Sequence, residues 1–432
     1  MIIGYAIPAV QKFQGAAYKS LYYQALEISK ADGATPDENP CLLERGDELY
    51  RAGEGAVPSV LIVPQFVKPG AVYTQIPTPT LEGGDFDQFT VTRATTATRV
   101  NASGLIESVA SGVLRLDYPI GGGCPAALIE PSAQNLVLQS RDLSVSGNWT
   151  ASGITAVKNA VGADGTASGA TTLTATAASG TITQALSHAS QSRIFSAVIR
   201  RVSGSGAVEL TTNGGTNWDA VTLTTDYSQL ACTARTVASG TVGIRMIASG
   251  DVIEVDYTQG EVGPVATSPI PTTTGSATRN ADVCSVSGVS GYIGQTEGTL
   301  YAEVDLRALS VPRDVFGLGV FADNVGIRMR NDNSIEAVSF LSNVLTQVAQ
   351  TSVLTNGIYK IAFAYQNANF ALCINGGNPI TSSATGVLPA SLSQINVGTT
   401  IRLGPFNDRI RAAAIYTTRL SNDQLQSLTR LT

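Results

Sequence analysis

Seven short runs in which polar and apolar residues alternate, TTLTAT, TITQAL, RIFSAVIRRV, GAVELTT, DAVTLTT, VGIRMIA and DVIEVDY, follow one another between Asn148 and about Ala266. Gly, Asn and Ser divide them. A period of two sends alternate side chains to opposite faces of an extended chain, so each run is a strand with one face to bury. Many short strands set apart by turn residues make the pattern of a β-sandwich of the jelly-roll sort.

A second β module is expected from Ala281 to Thr432. GTLYAEVDL sets Leu300, Ala302 and Val304 against Tyr301, Glu303 and Asp305, GIRMR alternates apolar residues with Arg, and YKIAFAY puts Tyr359, Ile361, Phe363 and Tyr365 on one face. At the end, Ser421 with Gln424 forms a capping box, and Leu425 and Leu428 give the short helix its apolar face. The first 80 residues differ: Tyr18, Leu21, Tyr22, Ala25 and Leu26 predict a helix ending near Asp32-Gly33. VPSVLIVP, Val57 to Pro64, reads as a short strand between prolines with no evident partner in its own segment. Both are expected to find partners outside the chain. The fold class is therefore mainly β: two β-sandwich (jelly-roll) modules in tandem behind a small mixed N-terminal segment.

At 432 residues the chain is long enough for about three domains of about 150 residues. A net charge of −6 and a pI near 5.0 argue against nucleic acid, whose phosphates call for clustered Lys and Arg. No apolar run approaches the roughly 20 residues that span a bilayer, so no membrane partner is expected. MIIGYAIPAVQKFQGAAY lacks the basic start of a secretion signal, which points to synthesis in a cytoplasm. The five cysteines, Cys41, Cys124, Cys232, Cys284 and Cys373, have no metal-type spacing and read as buried free thiols.

Little in the chain suggests catalysis. The one histidine, His188, cannot by itself build a common zinc site or activate a nucleophile. Paired carboxylates remain: Asp251, Glu254 and Asp256, or Glu303 and Asp305, could flank a glycosidic bond, although alternation of acid and apolar residues is also what a solvated strand face looks like. Asp323, Asn324, Asn331, Asp332 and Asn333 offer oxygens to calcium, but without an EF-hand spacing, and turns account for them as well. No cofactor or metal is expected. Gly121-Gly122-Gly123 is a turn rather than a phosphate cradle, since neither a helix nor a Lys-Ser/Thr pair follows. Trp218, just after the turn Asn213-Gly214-Gly215, is the candidate ligand-binding residue, whereas Trp149 at the module entrance is expected in the core.

Between Phe86 and Trp149 the pieces TRATTATRVNASGLIESV, RLDYP, LIEPSAQNLVLQSRDLS and NW stand in order, and the connector ATSPIPTTTGSATR follows the first sandwich. This ordered set resembles the recurring segment of bacteriophage head-spike and tail-fibre proteins. The first sandwich and its connector resemble the carbohydrate-binding-like modules of phage fibres. NGIYKIAFAYQNANFALCINGGNPI and the closing RIRAAAIYTTRLSNDQLQSLTRL resemble the laminin-G-like, concanavalin A-type sandwich. The resemblance implies a junction over 81–147, a carbohydrate-binding-like sandwich over 148–266, a linker over 267–280 and a concanavalin A/laminin-G-like sandwich over 281–432, and residues 1–80, which it does not match, are expected to be a virion attachment segment. It further implies a structural protein of the virion, not an enzyme, made in the host cytoplasm. That protein would be a homotrimeric tail fibre, spike or head fibre that meets other virion proteins through its N-terminal segment and host-surface glycan through its sandwiches. A surface-polysaccharide depolymerase and a bacterial adhesin are the alternatives.

Overall fold

The computed structural model describes Leu49, Ala52, Gly53, Ala56, residues 58–64 and 72–75, and residues 90–431 except Ile120, Gly121, Ala308, Ser310 and Thr400. The helix expected near Tyr18 lies outside the described residues. What is described is mostly strand, and it forms two β-sandwiches, as the alternation predicts.

The first sandwich spans about 148–262. One sheet runs Ile154–Ala160, Ala170–Ala175, Val252–Val262, Gln191–Ser203 and Ser228–Ala231, with Arg235–Val237 also paired to Gln191–Ser203. The other runs Asp219–Val221, Val208–Thr211, Thr241–Met246, Gly180–Ala185 and Thr150–Ser152. Alternate residues meet between them: Leu173, Phe195, Ile199 and Val255 from one sheet and Ile182, Leu210, Ile244 and Met246 from the other form a single core, joined by Trp149. Trp149 is 2% exposed, as expected of a core residue.

The second sandwich is built from chain on both sides of the first. Its nine-stranded sheet follows the order Val72–Gln75, Val60–Pro64, Asp408–Tyr416, Glu297–Leu306, Gly357–Gln366, Phe370–Ile374 and Ile380–Ser382, while Arg115–Asp117 and Ala126–Ile129 attach beside Asp408–Tyr416. The facing seven-stranded sheet runs Val344–Val353, Ser334–Leu341, Asn324–Met329, Arg313–Gly319, Gln394–Val397, Val283–Ser287 and Thr90–Thr92. Leu300, Ala302, Val304, Ile361, Phe363 and Tyr365 meet Phe316, Leu318, Ile327 and Ile395 in one core, to which Val60, Ile62, Leu116 and Ile129 belong. The expectation that the strand ending at Pro64 is partnered from outside the chain is thereby corrected: Leu61 pairs with Ala414 on one side and Gln75 on the other. Its partner lies some 350 residues further on, a separation that residue pattern does not encode. The closing helix, Asn422–Thr429, carries the expected capping box and lays Leu425 and Leu428 on the other, alanine-rich side of the nine-stranded sheet.

Entrance and exit of the inner sandwich are zipped together. Ala133–Asn135 pairs antiparallel with Ala277–Arg279, and the proline-rich return, although extended as expected, is pinned along its length: Asn135 Nδ2 donates to the Ile270 carbonyl at 2.8 Å and Gln139 N to the Thr273 carbonyl at 2.7 Å. Beneath this ladder lies a buried charge network. Arg115 Nη1 donates to Glu130 Oε2 at 2.6 Å and to Ser268 Oγ at 2.7 Å, and its Nη2 donates to Asp282. Arg93 Nη1 reaches the other oxygen of Asp282 at 2.7 Å, and Arg279 Nη1 reaches Glu130 at 2.5 Å. Burial alone would raise the pKa of Glu130, but Arg279, Arg115 and the donors of Ser268 hold it down to about 2. Charges so deeply buried are tolerated when they are paired and hydrogen-bonded, as the guanidinium ends of these arginines are. Arg93, Arg115, Glu130 and Arg279 fall in the pieces TRATT, RLDYP, LIEP and SATR of the ordered set, and Asp282 lies three residues beyond the last. The ordered motif therefore fixes one sandwich upon the other.

Cys232, Cys284 and Cys373 are buried free thiols as expected, whereas Cys124 is disulfide-bonded, which corrects the reading of all five as thiols. Among the described residues no helix is long and apolar enough to cross a membrane.

Candidate functional site

The five-stranded sheet of the inner sandwich has an outward face of polar and small side chains. In strand Val208–Thr211 the residues Val208 and Leu210 point into the core, so Glu209 points out and Thr211 lies on the same side, buried beneath the loop that follows. The register carries this across the sheet. One outward row reads Ala220, Glu209, Arg245, Thr181 and Ser152, and the next reads Thr211, Gly243, Thr183 and Thr150. Glu209 and Arg245 form an ion pair across two strands. Gly243 leaves the second row flat, since a Cβ there would stand 2.6 Å from both the Ile182 carbonyl oxygen and the Thr183 methyl.

Trp218 closes one end of these rows. The loop from Thr212 to Trp218 turns through Gly214 and Gly215, both with positive φ (72° and 84°). Thr211 Oγ1 organises it by donating to the Asn217 carbonyl at 2.7 Å and accepting from Gly215 N at 3.1 Å. The indole packs on Gly215, where an added Cβ would stand 2.9 Å from Trp218 Nε1. The Arg245 guanidinium carbon lies 4.7 Å from the ring centroid, a cation–π contact that fixes the ring plane. Trp218 is half-buried, and the rows beside it carry small hydroxyl side chains that both donate and accept hydrogen bonds. An aromatic edge, an arginine–glutamate pair and a flat track of Thr and Ser together suit a polyhydroxylated ligand. Sequence reasoning reached Trp218 but missed Glu209, Arg245, Thr181 and Thr183. VGIRMIA did announce that Arg245 faces outward, but strand order could not be read from it.

The other candidates are occupied elsewhere. Asp251 meets Arg201 at 3.0 Å, Glu254 meets Arg200 at 2.6 Å and Asp256 meets Arg141 at 2.8 Å. In the outer sandwich Glu303 meets Arg411 at 2.5 Å and Asp305 meets Arg307 at 2.6 Å. Glu254 and Asp256 do share a strand face, but each is locked to its own arginine. His188 accepts from Gly240 N through Nε2 at 3.3 Å and so braces a loop. Of the oxygens considered for calcium, Asp323 Oδ1 accepts from Ser342 N of a neighbouring hairpin at 2.7 Å, and Asp332 Oδ1 caps its own turn by accepting from Ser334 N and Oγ at 3.0 and 2.6 Å. Asn324 Nδ2 donates to the Val320 carbonyl at 3.0 Å, and Asn331 and Asn333 sit in the turn that Arg330 N closes on the Ser334 carbonyl. Among the described residues no group of three or more His, Cys, Asp or Glu is placed to hold a metal.

No protein-family profile matches the chain, and no curated protein matches it. Partial likenesses to solved structures exist. The CBM40 module of the Ruminococcus gnavus IT-sialidase is similar over 32% of this chain and 84% of that one, at 16% identity and a TM-score of 0.28. Domain 4 of AbnA, a GH43 arabinanase of Geobacillus stearothermophilus solved with arabinotriose, is similar over 39% and 84%, at 17% identity and a TM-score of 0.30. The binding domain of Botulinum neurotoxin DC is similar over 34% and 40%, at 12% identity and a TM-score of 0.29. At such scores these likenesses carry no argument about what the chain does.

Proposed function

We propose that this protein is a glycan-binding fibre or spike of a bacteriophage virion, which holds host-surface carbohydrate on the outward five-stranded face of its inner sandwich and does not cleave it. The observation that carries the binding reading is Trp218, its ring plane fixed by Arg245 and Gly215 at the head of a track of small hydroxyl side chains. Sugars present apolar C–H faces and a rim of hydroxyls, which such a ring and such a track complement. Binding without turnover is supported by the carboxylates, since a general acid or nucleophile must be available to the scissile bond and each candidate here is paired with an arginine.

The virion reading rests on the ordered sequence resemblance. A charge-locked mount between two sandwiches is consistent with a part that has to project rigidly. Homotrimerisation rests on that resemblance alone, and docking through residues 1–80 rests on the contrast in sequence between that segment and the sandwiches. Immunogold labelling of purified phage tests the placement: gold on tail or head fibres is expected, and bare particles would contradict it. Light scattering tests the trimer.

A further inference from the structure

Six arginines in the described residues lie against aromatic rings: Arg141, Arg200, Arg245, Arg313, Arg328 and Arg402. Five of them also face a carboxylate, namely Asp256, Glu254, Glu209, Asp408 and Glu336 in that order. Arg402 has no ion pair among the described residues, and its guanidinium is the most tightly stacked of the six, 3.8 Å from the Phe340 ring centroid and 4.1 Å from that of Phe321.

Three turns at one end of the outer sandwich hold it there. The segment bearing Arg402 is anchored by Asp314, whose Oδ2 accepts from the backbone N–H groups of Ile401, Arg402 and Leu403 at 2.8, 2.8 and 2.9 Å. The hairpin tips carrying Phe321 and Asn343 are tied together by Asn343 N donating to the Ala322 carbonyl at 2.9 Å. Arg402 Nη2 donates to Asn343 Oδ1 at 2.6 Å, Nε is buried without a hydrogen-bond partner, and Nη1 makes no hydrogen bond among the described residues. Burial and the neighbouring Arg328 pull the Arg402 pKa below its ordinary value, with Asp314 acting in the opposite direction. Phe321 is 60% exposed and Leu345, across the sheet from Phe340, is 45% exposed.

An arginine normally loses much side-chain freedom when it engages a ligand, and here that freedom is already gone. A preorganised guanidinium stacked against two rings, with a nitrogen not hydrogen-bonded to the protein and an exposed ring beside it, suits a carboxylate carried on a ring with apolar C–H groups. We propose that the outer sandwich carries a second binding site, centred on Arg402 and Phe321, for an acidic polysaccharide bearing uronate-type carboxylates. It shares the reading that the protein binds surface glycan, but it uses neither Trp218 nor any other residue of the inner sandwich.

The test is isothermal titration of the full chain with polygalacturonate and with neutral dextran, at low and at high salt, for the wild type and for Arg402→Gln, Phe321→Ala and Trp218→Ala. The site predicts salt-sensitive binding of polygalacturonate over dextran. Arg402→Gln should weaken it by about tenfold or more, the usual worth of a charge-assisted hydrogen bond, and Phe321→Ala should weaken it as well. Trp218→Ala should leave it unchanged. Because Phe321 is largely exposed, its variant keeps the test valid if Arg402→Gln lowers the melting temperature. Equal binding of the two polymers by the wild type, or unchanged polygalacturonate binding in both outer-sandwich variants, overturns the site. Loss of neutral-glycan binding in Trp218→Ala bears on the inner face alone, so the two readings fail separately.

Discussion

Arg279 Nη1 lies 2.5 Å from Oε2 of Glu130, a residue 149 positions earlier, and this buried pair ties the exit of the inner sandwich to its entrance. Glu130 also holds Arg115 and accepts from the backbone and hydroxyl of Ser268. Glu130→Gln should therefore destabilise the protein by about 3–5 kcal/mol, because two buried guanidinium groups lose their shared counter-charge. Chemical denaturation checks this, and a loss below about 1 kcal/mol, the usual range for exposed pairs, would mean the network is not the lock. The pH dependence has a definite sign. The folded pKa of Glu130, about 2, lies below its usual 4.5, so its contribution is complete above about 4.5 and is lost as pH falls from there towards 2.

Glu261 behaves in the opposite way. It is 1% exposed and, among the described residues, has no ion pair; it accepts from Thr267 N, from Thr267 Oγ1 and from Gln259 Nε2. Burial lifts its pKa to about 7, although Thr267 and Arg279 act to lower it. Between about 4.5 and 7 the folded chain keeps a proton that the unfolded chain releases, so this residue makes stability fall as pH rises through that window. Melting temperatures recorded from pH 5 to pH 8 should fall less steeply for Glu261→Gln than for the wild type. Parallel curves would show that Glu261 is ionised throughout.

Removal of residues 1–80 should damage the outer sandwich and spare the inner one. Val60 and Ile62 are 2% and 0% exposed in the outer core, and burying each is worth roughly 1.5–3 kcal/mol. The truncation also strips Asp408–Tyr416 of its neighbour beyond Leu61 and opens a sheet edge to aggregation. Limited proteolysis should release the inner sandwich intact from the truncated chain. Equal resistance of both sandwiches would mean that the strand ending at Pro64 is dispensable.

The glycan face can be blocked without touching the core. Thr183 faces outward between Gly243 and Thr150. Thr183→Arg should abolish binding of host polysaccharide at nearly unchanged melting temperature, since surface substitutions usually stay within about 0.5 kcal/mol. Retained binding in an affinity gel would move the ligand off this face.

Much of the fold was legible because β alternation is a local signal. RIFSAVIRRV and YKIAFAY announced their buried faces, and Ser421 with Gln424 announced the cap of the last helix. Pairing was not legible, because it joins residues hundreds of positions apart: nothing in VPSVLIVP names RAAAIY as its neighbour. The charges of RLDYP and LIEP carried no sign of burial, since burial of Arg115 and Glu130 makes sense only once Arg279 and Asp282 come round to meet them. Trp218 was visible as an aromatic after a glycine turn. Its setting was not, because Arg245 and Glu209 reach it through strand order.

The measurement closest to the central claim is the affinity of the purified full-length chain for host-surface polysaccharide, compared with that of Trp218→Ala at matched folding by near-ultraviolet circular dichroism. Loss of an anchoring aromatic commonly costs about 1.4 kcal/mol or more, so binding should weaken by at least about tenfold while the fold persists. Equal affinity of the two proteins, or no binding by either, would contradict glycan recognition on the five-stranded face.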